Sequence, residues 1–229
     1  GKYFNDSQIL QAIKSYKLNA KKINSAYNII AKKLNEGKVV AVFNKKMEFG
    51  PRALGNRSIL SRATDPNINK SLNKKLKRTE FMPFAPITLS NKKSEMYIDS
   101  KDKGSLAGKF MTMTFDCTKK MKELSPAAVH IDGTARPQFV SAKSNFNLYK
   151  ILNSYFKISK IPNLINTSFN IHEEPIVYTP NDAARAFVQS KLDYMYIGKY
   201  AVQFLWTDLH TTGIYPFETL RKLCETLNE

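Results

Sequence analysis

The chain has 229 residues, which is long enough for one domain with a sizeable core, and no apolar run reaches the length needed to cross a membrane. Lys and Arg number 36 against 19 Asp and Glu, and this net charge of +17 favours anionic partners such as nucleotides, phosphorylated small molecules or nucleic acid. Cys117 and Cys224 lie far apart without a C-x-x-C pair, which argues against a disulfide scaffold or a cysteine zinc site and fits a reducing, cytoplasmic location.

Two helices are predicted in residues 1–36, a segment that we expect to pack on the main domain, residues 37–229. The first helix is short, and Asp6 or Ser7 is a suitable residue to cap its N-terminus. The second is longer, because apolar side chains recur at helical spacing until Gly37, a residue type that commonly follows a helix.

A short apolar run at 39–43 predicts a buried strand that leads into the sequence MEFGPRALGNRSIL at 47–60. Arg52 and Arg57 lie in this stretch beside glycines, which let backbone N–H groups approach a ligand closely. Because guanidinium donors match the oxygens of phosphate or carboxylate, we interpret residues 47–60 as a loop that binds an oxyanion, and we call it the arginine-bearing loop. It is not a Walker A sequence, because Asn56 follows where Lys belongs. A plain turn whose arginines pair with surface acids is the alternative interpretation.

A basic helix is predicted after Asp65-Pro66, with leucines on one face and lysines on the other. It ends just before residues 79–86, where two prolines impose an extended path that brings the basic helix end towards the arginine-bearing loop. Strands are predicted at 87–90 and 110–115, joined by a polar, lysine-rich connection. For the lysine-bearing face of the predicted helix after Asp65-Pro66, the alternative interpretation is an ordinary solvated surface.

The second half of the chain alternates polar loops with strands and helices. Polar residues cluster at 129–138 and again at 163–170, each next to an apolar strand. The predicted elements of this half are a helix at 144–155, a helix after Thr179-Pro180, strands at 194–197 and 201–206, and a final helix at 216–227. This interleaving of helices and strands indicates an α/β fold with a mixed sheet.

The polar loops are expected to gather at one rim of the sheet, as loops at strand ends do in α/β folds. Together they offer guanidiniums, a histidine, a carboxylate and neutral hydrogen-bonding groups, a set that suits a nucleoside triphosphate. A Ser-His-Asp hydrolase is not indicated, because the chain has no G-x-S-x-G motif. Each of these residues also has an alternative to a role in ligand binding. His130 is compatible with a buried core position, and Asn166 and Asn170 are compatible with a role in holding the turn.

Four motifs in order carry a family resemblance. They are MEFGPRALGNRSIL at 47–60, PFAP at 83–86, HIDGTARPQ at 130–138, and NTSFN at 166–170 followed by EPIV at 174–177. Over roughly residues 38–200 the chain resembles the C-terminal domain of the nodulation and antibiotic O-carbamoyltransferases. The resemblance implies a YrdC/Sua5-like domain, a twisted mixed sheet flanked by helices.

The resemblance also implies an activity and partners. It implies that carbamoyladenylate forms from carbamoyl phosphate and ATP, with Mg²⁺ present as the nucleotide complex. A Kae1-like N-terminal domain or subunit then passes the carbamoyl group to a hydroxyl of a sugar or natural-product acceptor. A homodimer is compatible with this interpretation, whereas a nucleic-acid partner and a membrane are not expected.

On the resemblance we assign the catalytic charges to Arg52, Lys77 and Arg136. Contacts to nucleotide or carbamoyl group are assigned to a polar set consisting of Glu48, Arg57, His130, Thr134, Asn166, Thr167, Ser168 and Asn170. No metal-ligating residue is implied. The chain departs from the family pattern at Met82, where Arg usually precedes PFAP, and at Glu173, where Gly usually precedes EPIV.

Three other functions remain as alternatives. A basic nucleic-acid-binding module of the same fold fits the net charge, although the aromatics do not interleave with the basic runs as in a base-stacking surface. A threonylcarbamoyl-adenylate synthase-like enzyme of tRNA modification has a similar fold, but the GPRALG sequence favours the carbamoyltransferases. A non-catalytic scaffold domain is compatible with Met82 and Glu173.

Overall fold

The structure, a computed structural model, describes residues 1–23, 26–78, 84–98 and 107–203. The helices of four or more residues are α1 (Asp6–Ser15), α2 (Tyr27–Asn35), α3 (Ile68–Lys75), α4 (Lys93–Met96), α5 (Lys119–Leu124), α6 (Phe146–Ser159) and α7 (Pro180–Ser190). The strands are β1 (Ala20–Lys22), β2 (Val40–Phe43), β3 (Arg57–Ser61), β4 (Ala85–Leu89), β5 (Phe115–Asp116), β6 (Thr134–Ala135), β7 (Gln138–Val140), β8 (Asn163–Ser168), β9 (Tyr194–Ile197) and β10 (Tyr200–Gln203).

One mixed sheet contains eight of these strands, in the order β1-β10-β9-β2-β3-β8-β4-β7. β2 pairs parallel with β9 and antiparallel with β3, and β8 pairs antiparallel with both β3 and β4. Asn166 lies opposite Leu60 of β3 and Ala85 of β4, so the polar end of β8 lies in the middle of the sheet. β5 and β6 form a separate two-stranded ribbon.

Helices cover both faces of the large sheet, because its central strands alternate between two apolar clusters. In β2, Ala41 and Phe43 belong to the cluster shared with α1, α3 and α7. Val40 and Val42 belong to the cluster shared with α2 and α6. Burial on both faces explains why β2 is a continuous apolar run rather than an alternating one.

The predicted mixed sheet flanked by helices is confirmed, and most predicted elements lie close to their expected positions. The strand predicted at 194–197 matches β9, and the helix predicted at 144–155 overlaps α6. The start of α7 is also confirmed, since Thr179 caps the helix and Pro180 occupies its first turn.

The N-terminal segment differs from the prediction in two details. The cap of α1 is Asn5, whose side chain accepts a hydrogen bond from the N–H of Gln8, so the prediction of Asp6 or Ser7 was wrong. The segment also contributes the edge strand β1, which pairs antiparallel with β10. All three residues of β1 are exposed, so no apolar pattern marks this strand in the sequence.

Two predictions in the central region were also wrong. The strand predicted at 110–115 is reduced to β5, because Met111 adopts a φ of 57° that a strand cannot contain. Arg57 was placed in a loop, but it is the first residue of β3 and its side chain is buried.

Several predicted elements lie partly or wholly outside the described residues. These are most of the extended segment at 79–86, the end of the strand at 201–206 and the helix at 216–227. Within the described part of the chain, no helix combines the length and the apolar character that a bilayer-spanning helix requires.

Candidate functional site

A cavity of about 350 Å³ lies where β8 ends. Its walls come from the arginine-bearing loop, the end of α3, the start of β4, the segment after β6 and the turn after β8. Three lining side chains are guanidiniums, those of Arg52, Arg78 and Arg136. Among the described residues, the acidic one in the lining is Glu173, whose side chain is 86% exposed and therefore lies at the rim. We call this space the arginine cavity.

The arginine-bearing loop is held by hydrogen bonds to its own backbone. The Glu48 carboxylate accepts from the N–H groups of Leu54 at 2.7 Å and Asn56 at 2.6 Å. The N–H of Gly55 donates to the Ser58 hydroxyl at 2.9 Å. These three amides are therefore already satisfied within the protein and are not the ones that a ligand would use.

Two further elements fix the same loop from outside. The side-chain amides of Gln138 and Asn145 both donate to the carbonyl of Leu54, at 3.0 Å and 3.2 Å. Gly55 has a φ of 113°, and a Cβ built on it would lie 2.6 Å from Cδ2 of Leu148 on α6. Glycine is therefore required here for backbone conformation and for close packing against α6.

Arg57 supports this loop and does not line the cavity. Its guanidinium donates to the carbonyls of Asn44 at 2.7 Å, Asn56 at 2.9 Å and Lys45 at 3.2 Å. The guanidinium carbon also lies 3.6 Å from the ring centroid of Phe43. Burial lowers the pKa of Arg57 to about 10, so the side chain is still charged at neutral pH.

The end of α3 directs Arg78, rather than Lys77, into the cavity. Lys77 adopts a φ of 57°, and the N–H of Arg78 donates to the carbonyl of Asn73 at 2.9 Å, which is a Schellman ending of the helix. The guanidinium of Arg78 donates to Oγ1 of Thr167 at 3.0 Å and to Oδ1 of Asn170 at 3.4 Å. Lys77 is exposed and does not line the cavity.

Positive charge is concentrated in the arginine cavity. Burial lowers the pKa of Arg136, and the charge of Arg52 nearby lowers it further. Burial also lowers the pKa of Arg78. Among the described residues, none of these three guanidiniums forms an ion pair with a carboxylate. An arrangement of this kind favours an anion with several charged oxygens.

The end of β8 supplies neutral polar groups to the same cavity. The side chains concerned are Asn166, Thr167, Ser168 and Asn170. The amide of Asn166 donates to the carbonyl of Ala53 at 2.9 Å and to Oε1 of Gln138 at 3.2 Å. β8 is thus connected directly to the loop that carries Arg52.

His130 and Thr134 lie at the two ends of a turn that leads into β6. Nδ1 of His130 lies 3.1 Å from Oγ1 of Thr134, and the Thr134 hydroxyl donates to the Asp132 carboxylate at 2.7 Å. Hydrogen bonds from Thr134 lower the pKa of Asp132. The side chains of His130, Asp132 and Thr134 therefore interact with one another, and Thr134 precedes Arg136 by two residues.

The cavity brings together part of the predicted set. The predicted residues that line it are Arg52, Arg136, Asn166, Thr167, Ser168 and Asn170. The predicted residues that it does not bring together are Glu48, Arg57, Lys77, His130 and Thr134. Arg78 was missed, although it stands beside the predicted Lys77 in the sequence. Met82 lies outside the described residues.

The described residues provide no metal site of their own. Within the described ranges, no group of three His, Cys, Asp or Glu side chains is placed to hold a metal ion. The described lining of the cavity instead offers three guanidiniums and neutral groups, with the Glu173 carboxylate at the rim. A divalent ion at this cavity would therefore be held by the oxygens of a bound polyphosphate.

Comparison with known protein families and sequences identifies relatives for most of the chain. A family profile described as "Carbamoyltransferase C-terminus" matches residues 31–203. An uncharacterized protein of Methanocaldococcus jannaschii is 42% identical over 176 residues, which cover 76% of this chain and 28% of that protein. Nodulation protein NolO of Bradyrhizobium diazoefficiens is 36% identical over 168 residues, which cover 73% of this chain and 30% of that protein. The chain thus spans about a third of the length of these relatives.

Solved structures with similar folds include two nucleotide- or amino-acid-bound proteins. Full-length HypF in its phosphate- and nucleotide-bound form has a TM-score of 0.55 and 18% identity, covering 79% of this chain and 22% of that chain. P. abyssi Sua5 complexed with L-threonine has a TM-score of 0.51 and 16% identity, covering 76% of this chain and 46% of that chain. At these identities the likeness concerns the fold, and it confirms the predicted Sua5-like architecture.

Proposed function

Because this chain belongs to the carbamoyltransferase C-terminus family, we propose that its arginine cavity binds ATP and carbamoyl phosphate and forms carbamoyladenylate. The observation that carries the proposal is the convergence of Arg52, Arg78 and Arg136 on one cavity, with no carboxylate paired to them among the described residues. Phosphate oxygens are the natural partners of such guanidiniums.

The neutral side chains of the cavity support a nucleotide rather than a simple inorganic anion. Thr167, Ser168 and Asn170 provide hydrogen-bonding groups beside the guanidiniums without adding charge. The volume of about 350 Å³ lies at the lower end of the range for small-molecule sites. In this proposal Arg78 is held in place by Thr167 and Asn170 and keeps its charge for the ligand.

The proposed chemistry needs positioning and charge neutralisation rather than a nucleophilic side chain. Carbamoyl phosphate and water give carbamate and phosphate. A carbamate oxygen then attacks the α-phosphorus of ATP, the new O–P bond forms, and the bond to the bridging oxygen breaks with release of pyrophosphate. Arg52, Arg78 and Arg136 stabilise the negative charge on the transferring and leaving oxygens. Mg²⁺, carried by the nucleotide, supplies further charge neutralisation.

We also propose that the carbamoyl group is transferred to a hydroxyl acceptor by another part of the protein, a Kae1-like domain or subunit. The chain matches only part of the length of its relatives, which supports a further functional region in those proteins. A homodimer and a cytoplasmic location belong to the same proposal.

The test is ATP–pyrophosphate exchange with the purified chain, measured with and without carbamoyl phosphate. Exchange that depends on carbamoyl phosphate is the expected result. Exchange that instead requires threonine and bicarbonate would assign the chain to threonylcarbamoyl-adenylate synthesis. Absence of both ATP binding and exchange would contradict the proposal and favour a scaffold domain.

The Arg52→Ala variant tests the cavity within that assay. Loss of one preorganised cation is expected to lower exchange by a factor on the order of 10²–10³. Lys46→Ala is the matched control, because Lys46 is an exposed cation near the same loop that does not line the cavity. Equal activity of the two variants would remove Arg52 from the mechanism.

A further inference from the structure

Two buried polar atoms of cavity-lining residues have no hydrogen-bond partner among the described residues. They are Oδ1 of Asn166, an acceptor, and Nε of Arg136, a donor. Asn166 is 2% exposed, so bulk water does not satisfy its oxygen. Buried polar groups are almost always paired in native proteins, so an unpaired acceptor and an unpaired donor on residues that line the same cavity point to a ligand.

The orientation of the Asn166 amide is fixed by its neighbours. Its nitrogen donates to the carbonyl of Ala53 at 2.9 Å and to Oε1 of Gln138 at 3.2 Å. Gln138 is oriented in turn, because its nitrogen donates to the carbonyl of Leu54 at 3.0 Å. Backbone carbonyls can only accept, so neither amide can exchange its oxygen and nitrogen. Asn166 therefore has an acceptor, not a donor, left to offer a ligand.

We propose that Oδ1 of Asn166 accepts a hydrogen bond from the NH₂ of the carbamoyl group while Nε–H of Arg136 donates to its carbonyl oxygen. Asn166 thereby selects a carbamoyl donor over other acyl phosphates. The inference rests on the proposed function, because it takes a carbamoyl compound as the ligand. A carbamoyl group carries a donor and an acceptor on one carbon, which matches the two unpaired atoms.

Other small acyl groups match this pair less well. Acetyl phosphate has nearly the same shape, but its methyl group leaves the oxygen of Asn166 without a donor. An ionised carboxylate places a second acceptor against that oxygen. Sites built to hydrogen-bond a substrate N–H reject analogues that lack it, because a buried group of the protein is then left unpaired.

The experiment is isothermal titration calorimetry of the full chain with carbamoyl phosphate and with acetyl phosphate, in the absence of ATP. The wild type is expected to bind carbamoyl phosphate about 10-fold to 100-fold more tightly. In Asn166→Ala this ratio is expected to fall close to one. Thr167→Val is the control, because it removes an acceptor from Arg78 and weakens both ligands without changing their ratio.

A second measurement guards against loss of the fold, since Asn166→Ala also removes two hydrogen bonds, one to Ala53 of the arginine-bearing loop and one to Gln138. Circular dichroism shows whether Asn166→Ala and Thr167→Val are folded, and the affinity ratio is compared between folded proteins. Equal affinities in the wild type or an unchanged ratio in folded Asn166→Ala would each overturn the assignment.

The outcome is separable from that of the proposed function. Carbamoyl phosphate-dependent exchange with equal affinities for the two acyl phosphates would reject the role of Asn166 alone. A clear carbamoyl preference without any exchange would reject adenylation while the recognition by Asn166 stands.

Discussion

At the scale of single residues, the partners of each arginine distinguish support from ligand binding. Arg57 donates to three backbone carbonyls and stacks on Phe43, so both terminal nitrogens of its guanidinium are used inside the protein. Arg78 is held by the neutral oxygens of Thr167 and Asn170, which orient the guanidinium without compensating its charge. The same type of side chain thus stabilises a loop at position 57 and presents positive charge to the cavity at position 78.

The neighbouring cations Lys77 and Arg78 provide a matched pair for testing this distinction. Arg78→Ala is expected to lower carbamoyl phosphate-dependent exchange by a factor on the order of 10²–10³, because a preorganised cation is lost. Lys77→Ala removes the same charge from an exposed position and is expected to leave the exchange rate nearly unchanged. A larger loss in Lys77→Ala than in Arg78→Ala would contradict the placement of these residues.

The sequence could identify this basic pair but not which member faces the cavity. The ending of α3 depends on a left-handed residue, and that residue is Lys77 rather than the usual glycine. No local sequence signal therefore shows that the helix ends at this point or that Arg78, rather than Lys77, faces the cavity. Arg52 and Arg136 were predictable, because each lies within a long motif next to a strand.

At the scale of elements, the arginine-bearing loop is ordered by contacts from four parts of the chain. The side chains of Glu48 and Ser58 accept hydrogen bonds from its backbone amides. The carbonyl of Leu54 accepts hydrogen bonds from Gln138 of β7 and from Asn145, the N-cap residue of α6. Arg57 holds the backbone of Asn44 and Lys45, which directly follow β2. The position of Arg52 is therefore set by the packing of the sheet against α6.

The two glycines of this loop are expected to respond differently to alanine. Both have positive φ, 103° at Gly50 and 113° at Gly55, so each substitution costs about 1–2 kcal/mol of backbone strain. Gly55→Ala also forces a Cβ against Leu148 and is expected to lose about 1–3 kcal/mol more. Gly50 has nothing within 4 Å of a built Cβ and serves as the control. The measurement is urea unfolding, and equal losses would disprove the contact with α6.

Strands were predicted correctly where buried side chains produce an apolar pattern in the sequence. They were missed where a strand exists only because its backbone pairs with a strand distant in sequence. β2 and β9 have buried positions that reveal a strand, and both were predicted. β1 has three exposed residues and exists because it pairs with β10, a contact distant in sequence. The alternating sequence before β5 favours a strand, but the turn at Met111 prevents it.

At the scale of the whole molecule, a net charge of +17 surrounds a cavity that itself contains three guanidiniums. Such a surface attracts anions over distances set by the Debye length, about 10 Å at 0.1 M salt and about 3 Å at 1 M. General attraction alone does not discriminate between phosphates on a nucleotide and phosphates on a nucleic acid. The specific part of binding must come from contacts within the cavity.

ATP is expected to stabilise the folded chain, because it binds the native cavity and not the unfolded chain. At a concentration of about 100 Kd the melting temperature should rise by about 5–10 °C. Adenosine is the matched control, since it lacks the phosphates that the guanidiniums hold. Raising the salt from 0.1 M to 1 M should reduce the shift. Differential scanning fluorimetry measures it, and equal shifts with ATP and adenosine would contradict an anion-binding cavity.

The internal hydrogen bonds of the arginine-bearing loop also have a kinetic consequence. Because Glu48, Ser58 and Gln138 order this loop through hydrogen bonds within the protein, folding itself removes the conformational freedom that ligand binding would otherwise remove. The encounter with an anion then requires no slow rearrangement of the loop, and its speed is governed by diffusion and long-range attraction. The observed association rate is therefore expected to rise in proportion to ligand concentration without reaching a plateau.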